Sequence, residues 1–214
     1  MLMSFFLLST TIQPAQATSM VELTMDQLID ASEEIVKGTV VATWTEQDPR
    51  TKMLWTHAQI EIEQSFRGDA KEILIIEQPG GNWGSSDLVV EGVARFSEGE
   101  TGYFFVEYLA SDRYVPVGMF QGKFNILMDP YSQKEIVHRY ALHPSQNFDH
   151  RFIPLPQKKE DRVSTEIFEE QIWMGIENGW DGKAIPGVSP EKLQRINGVQ
   201  NKNQTHKTNI QTNK

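Results

Sequence analysis

Between two hydrophobic runs the chain reads PGGNWGSSD, Pro79 to Asp87. Paired glycines beside a tryptophan can serve two ends. They can bring backbone close to a ligand with an aromatic plane held against it, or they can let the chain turn where a side chain would clash. A phosphate cradle opens a helix and has a lysine that reaches the anion. This loop has no lysine and leads into another strand-like run, so it matches neither the dinucleotide fingerprint nor the P-loop. It reads as a demanding turn between strands. Gly80, Gly81, Asn82 and Trp83 are its candidate contacts to a ligand or partner.

His138, His143 and His150 fall in one short stretch, with Asp149 beside the last. Imidazole and carboxylate are zinc donors. Their spacing matches no metal-ligand pattern, and there is no H-E-x-x-H, so they are metal candidates by residue type alone. GSSD, at Gly84 to Asp87, lacks the frame of a nucleophile elbow. Glu98 and Glu100 flank a turn glycine and could pair as two carboxylates, but a glycosidase pair depends on a separation that the fold must set. The sequence therefore assigns no catalytic residue and no cofactor.

Composition narrows the partners. The chain carries 29 acidic against 20 basic side chains, a formal net charge of −9. Lys158 and Lys159 are followed directly by Glu160 and Asp161, so no basic patch offsets the acidity, and nucleic acid is not an expected partner. With no cysteine, disulfides, thiolate zinc sites and thiol catalysis are excluded. MSFFLLSTTI, Met3 to Ile12, followed by AQA at Ala15 to Ala17, reads as a Sec-type signal cleaved before Thr18, though without the usual basic start. The expected location is periplasmic or secreted. No segment is long and apolar enough to predict a membrane span.

The elements that must position these residues follow from periodicity. Thr24 with Gln27 is a capping box, and Leu23 with Leu28 a hydrophobic staple, so a short helix is predicted from about Met25 to Glu34. Seven or eight short strands follow. In LWTHAQIEIEQSF, Ala58, Ile60 and Ile62 face one way and Gln59, Glu61 and Glu63 the other. EILIIEQ, with four aliphatic residues in a row, is predicted to cross the core, and LVVEGVARF to form another short strand broken at Gly92. TGYFFVEYL with RYVPVG, and GKFNILM with EIVHRYAL, read as two hairpins. Trp44 and Trp55 are predicted to meet across the first hairpin as core partners. STEIFEEQIWMGIENG and SPEKLQRIN are helical. The domain plan is a signal over residues 1–17, a barrel over 18–143, a linker and helical extension over 144–198, and a disordered tail over 199–214.

Several of these elements together resemble a group of uncharacterised bacterial exported proteins. The likeness rests on Ala31 to Val40, the FRGD of Phe66 to Asp69, the QPGG of Gln78 to Gly81, Val90 to Glu100, and the stretch ending in GKF from Pro116 to Phe124. The strand order is also similar to that of the tissue-inhibitor-of-metalloproteinase and netrin-like barrels, which implies an OB-type fold. Those inhibitors place an N-terminal cysteine on a protease zinc, and a chain without cysteine cannot share that chemistry. The expected protein is mainly β: a small closed or partly open OB-like barrel with an N-terminal helix and a C-terminal helical extension. Its expected role is a binding or accessory module for an envelope or secreted protein, such as an envelope protease. The rival readings are an envelope enzyme using the His138 to His150 segment and a carbohydrate-binding module using Trp83.

Overall fold

The computed structural model describes residues 21–109, 113–129, 132–139 and 162–198. The signal segment, His143, His150, the linker before residue 162 and the tail lie outside the described residues. The protein is mainly β. Helix α1 (Met25–Ala31) starts with the capping box: the Thr24 hydroxyl accepts from the Gln27 amide, and the Gln27 side chain accepts from the Thr24 amide. Leu23 and Leu28 are both buried beside it.

Two long strands, β1 (Glu34–Gln47) and β2 (Leu54–Arg67), form an antiparallel hairpin. Asp48 shapes its turn. The Asp48 carboxylate accepts from the amides of Thr51 at 2.7 Å and Arg50 at 2.9 Å. The Thr51 amide above all, helped by Arg113, holds that carboxyl down at about 2. Then come β3 (Ile73–Pro79), the small hairpin of β4 (Gly81–Trp83) and β5 (Ser86–Leu88), and the hairpin of β6 (Thr101–Leu109) and β7 (Arg113–Pro116). A 3-10 turn (Met119–Gly122) leads to β8 (Lys123–Met128), β9 (Glu135–Arg139) and β10 (Arg162–Ser164). Helix α2 spans Thr165–Asn178 and a last helix, α3, runs through residues 190–198.

Five strands close on themselves in the order β1-β2-β3-β7-β6 and back to β1. β1 closes the ring because its first half pairs with β6 while its whole length pairs with β2. The seam between β3 and β7 is parallel and rests on one bridge, Ile76 with Tyr114, so the barrel is partly open there. This is the connectivity of an OB-like Greek-key barrel. β8 takes the remaining edge of β6, and β9 and β10 extend the sheet outward as an arm.

The ring has two cores, one on each side of its wall. Val36, Val40, Ala58, Ile60, Leu74, Ile76, Phe104 and Val106 fill the inside. Ile35, Phe66, Tyr103, Phe105 and Phe124 face outward against Leu28, Ile29, Phe168, Ile172 and Leu193 of the helices. A strand covered on both faces needs a continuous apolar run, and YFFV in β6 supplies it. The three rings of Tyr103, Phe105 and Phe124 all pack on Phe168, with centroids 4.8, 6.3 and 4.9 Å away. The helical extension therefore shares a core with the barrel.

Three expectations need correction. β3 does not cross the core: Leu74 and Ile76 are buried, but Ile73 and Ile75 are 46% and 42% exposed, because the strand has only one covered face. LVVEGVARF is not a strand beyond Leu88. It ends four residues before Gly92, which takes a φ of +80°, and Ala94 and Phe96 then drop back onto the barrel. Trp44 and Trp55 are not core partners. Trp44 sits opposite His57 and Trp55 opposite Glu46, on the outer face of the hairpin.

Candidate binding face

The register of β1, β2 and β3 fixes which side chains share the outer face of the barrel. Successive rows across the three strands read Glu46, Trp55, Pro79; then Trp44, His57, Glu77; then Ala42, Gln59, Ile75; then Thr39, Glu61, Ile73. Side chains at alternate positions of a strand point to one face, so these twelve positions form one surface. β7 adds Arg113 beside it.

The upper rows are rigid. The indole of Trp44 lies parallel to the His57 imidazole, with ring centroids 5.0 Å apart and planes 4° from parallel. The Arg113 guanidinium sits 4.3 Å over the ring of Trp55. The same guanidinium reaches Glu77 at 2.9 Å and Asp48 at 3.2 Å. One cation thus ties the turn, the second strand and the third strand together, and stacking on Trp55 adds to those ion pairs.

His57 is held between two carboxylates and an indole. Its nitrogens face Glu77 at 3.5 Å and Glu46 at 3.8 Å, and one ring face is covered by Trp44. The hydroxyl next to it in sequence, Thr56, lies on the opposite face and donates to the Gly80 carbonyl at 2.8 Å. No nucleophile and base are joined here.

The lower rows differ. Gln59 lies between Ala42 and Ile75, and the exposed Ile73 and Ile75 form an apolar strip next to the acids Glu61 and Glu77.

The glycine loop lies across the inner side of the same hairpin. Gly80 and Gly81 have φ of +104° and +126°. A β-carbon on Gly81 would lie 2.4 Å from the Thr56 hydroxyl oxygen and 2.6 Å from that of Thr45. Both glycines thus serve the turn and the close approach of backbone to the barrel wall. Asn82 and Trp83 run on into β4, and Trp83 stands 48% exposed at the hairpin tip. Gly81→Val is expected to cost about 1–2 kcal/mol from the backbone alone, with the clash added, while Trp83→Ala leaves the thermal melt nearly unchanged. A pair of melts checks both.

The other candidates disperse. His138 is on β9, half-buried, paired in register with Asn125 and Arg162. Among the described residues no group of three or more His, Asp or Glu could hold a metal ion. The Glu98 carboxylate accepts from the Thr43 amide at 3.1 Å, whereas Glu100 meets the buried Lys123 ammonium at 2.5 Å. The two acids serve different parts of the wall. Sequence reasoning missed Trp55, His57, Glu77 and Arg113 as neighbours. The alternation of β2 alone puts Trp55, His57, Gln59 and Glu61 on one face; the partners on β3 and β7 need the register.

No protein-family model, curated protein or solved structure matches this chain. Among the described residues no helix is long and apolar enough to cross a membrane.

Proposed function

We propose that the protein is an exported binding module that docks a partner protein on the outer face of β1, β2 and β3. The observation that carries this is the exposed pair Ile73 and Ile75 on a face stiffened by the two aromatic stacks and edged with charge. Apolar side chains at the centre and charges at the rim are how protein interfaces are built, and a rigid face loses little entropy on binding. OB-type barrels as a class bind on the face of their second and third strands, an analogy of fold alone. The edge charges Glu46, Asp48, Glu61 and Glu77 against Arg113 favour a partner with basic residues and disfavour a phosphate backbone. Export is supported by the AQA pattern after a short apolar run. An envelope protease is one such partner.

Photo-cross-linking in the envelope fraction tests the reading. A cross-linker at position 75 is expected to trap a discrete partner, and one at the exposed Ile167 of α2 is not. Ile75→Glu should lower capture roughly tenfold, which corresponds to about 1.4 kcal/mol, with the melt unchanged. Equal trapping from both positions would remove the face as the docking surface. A second reading, carbohydrate binding, is favoured by the exposed Trp83. A glycan array that lights up with the natural chain and goes dark with Trp83→Ala would put that reading first.

A further inference from the structure

Helix α1, the end of α2 and the chain from Gly179 to Ile185 border a cleft of about 350 Å³, the size of a small-ligand site. From α1 the cleft takes Asp26, Gln27 and Asp30. Asp30 lies four residues from the first and three from the second, so all three share one helix face. Leu28, Ile29 and Ala31 turn the other way, into the core. The Asp30 side chain therefore points to the cleft.

The opposite wall follows the end of α2. Gly179, with a φ of +66°, turns the chain and brings Trp180 and Asp181 to the cleft. The Trp180 indole N–H donates to the Lys183 carbonyl at 2.8 Å, which fixes the ring. Trp180 and Ile185 make this wall partly apolar. Asp181 and Lys183 pair at 2.7 Å, with both side chains largely in water.

Asp30 is the independent sign of a ligand. It is only 7% exposed. Its backbone carbonyl accepts from the Asn197 side-chain amide at 3.2 Å, but among the described residues no hydrogen bond reaches its carboxyl oxygens. Arg67 acts on it as a nearby charge while donating to the carbonyls of Ile29 and Ser32. Asp26 and Asp181 oppose that charge from the cleft side. A buried carboxylate without donors is costly, and buried polar groups are nearly always hydrogen-bonded. The missing donor belongs on the cleft side. A bare metal ion does not fit, because among the described residues no three carboxylates or imidazoles come close enough to share one. A primary ammonium brings three N–H donors on a compact charge, and its alkyl stem matches the apolar wall.

We propose that this cleft binds a primary alkylammonium group, with its charge on the Asp30 carboxylate, its stem along Trp180 and Ile185, and Asp26 and Asp181 at the mouth. A lysine side chain and a free amine carry the same group. The cleft shares no residue with the outer face of β1, β2 and β3, and its failure would leave the docking proposal untouched.

The test uses the full chain, isotope-labelled, at pH 7 and constant ionic strength. Three probes are titrated while amide and indole resonances are followed: N-acetyl-lysine amide, N-acetyl-norleucine amide, which lacks the ammonium, and pentylamine. The lysine probe is expected to shift Asp30, Gly179 and the Trp180 indole together, and the norleucine probe to bind at least tenfold more weakly. Lysine tighter than pentylamine supports a peptide source; equal or weaker lysine binding supports a free amine. Asp30→Asn should weaken the ammonium probes tenfold or more, whereas Glu72→Gln, the loss of an exposed acid outside the cleft, should leave them within about twofold. If Asp30→Asn fails to fold, Asp26→Asn with Asp181→Asn decides, with a loss of threefold or more expected. Equal shifts from the lysine and norleucine probes, no shift in the cleft at saturating probe, natural affinity in Asp30→Asn, or as large a loss in Glu72→Gln would each overturn the proposal.

Discussion

Phe168→Ala is expected to destabilise the folded chain by about 3–5 kcal/mol, the range for removing a buried aromatic ring. Phe168 is 4% exposed and its ring touches three others, Tyr103, Phe105 and Phe124, which belong to β6 and β8. The rings lie on the outer side of the ring wall, packed against Leu28, Ile29, Ile172 and Leu193 of the helices. The cavity left by alanine cannot close by collapse, because the strands on one side are fixed by their ladders and α2 on the other is held by its own neighbours. For a domain of this size the melting temperature should fall by roughly 6–20 °C. A chain ended at residue 143 removes β10, α2 and α3 together and should not give a cooperative melt at all. Calorimetry checks both variants. A sharp transition from the shortened chain, or a Phe168→Ala melt within 2 °C or so of the natural chain, would mean that α2 is an appendage and the barrel a domain without it.

That expectation runs against the domain plan read from the sequence, and the reason is physical. Phe168 and Ile172 mark an apolar stripe on α2, which periodicity detects. Periodicity does not say what the stripe covers. In β6 the unbroken YFFV run serves two buried faces, and the inside of a small barrel covers only one of them. The local signals were legible: the capping box at Thr24 and Gln27, the alternation of β2, and the hairpin of β6 with β7. Closure of the ring was not, because it joins β1 to β6 across some sixty residues and leaves no local pattern. The same limit hid the candidate face. Trp55 and His57 alternate visibly in β2, but Glu77 and Arg113 reach them only through the pairing of β3 with β2 and the turn at Asp48. For Ile73 and Ile75, an aliphatic run reads the same whether one face or both are covered. The exposed half of that run is what the docking proposal rests on.

Asp30→Asn is expected to stabilise the protein at neutral pH and to flatten its acid pH profile. Asp30 is 7% exposed on α1. Burial pushes its carboxyl up to about 6; the Arg67 charge pulls it partly back, and Asp26 and Asp181 push it further up. Arg67 remains charged, because burial lowers it only to about 10, and its guanidinium also donates to the carbonyls of Ile29 and Ser32. The sign follows from proton uptake. Between about pH 4 and pH 6 the unfolded chain has released this proton and the folded chain still holds it. Stability therefore falls as pH rises through that window and stays level above it. A rise of about two in pKa corresponds to about 3 kcal/mol, an upper figure because structural relaxation reduces it. Glu34, also raised by burial, adds in the same direction. Asp48, lowered, acts below about pH 4 with the opposite sign, losing its contribution as pH falls. Subtracting the natural chain from the variant isolates Asp30 from both. Urea denaturation at a series of pH values should give a difference near zero at pH 4 that grows through pH 6 to between about 1 and 3 kcal/mol. A difference that is the same at every pH would mean that the carboxyl ionises in the folded chain as it does in the unfolded one. The buried Asp30 beside Arg67 would then be a fully charged pair, held at no cost from burial.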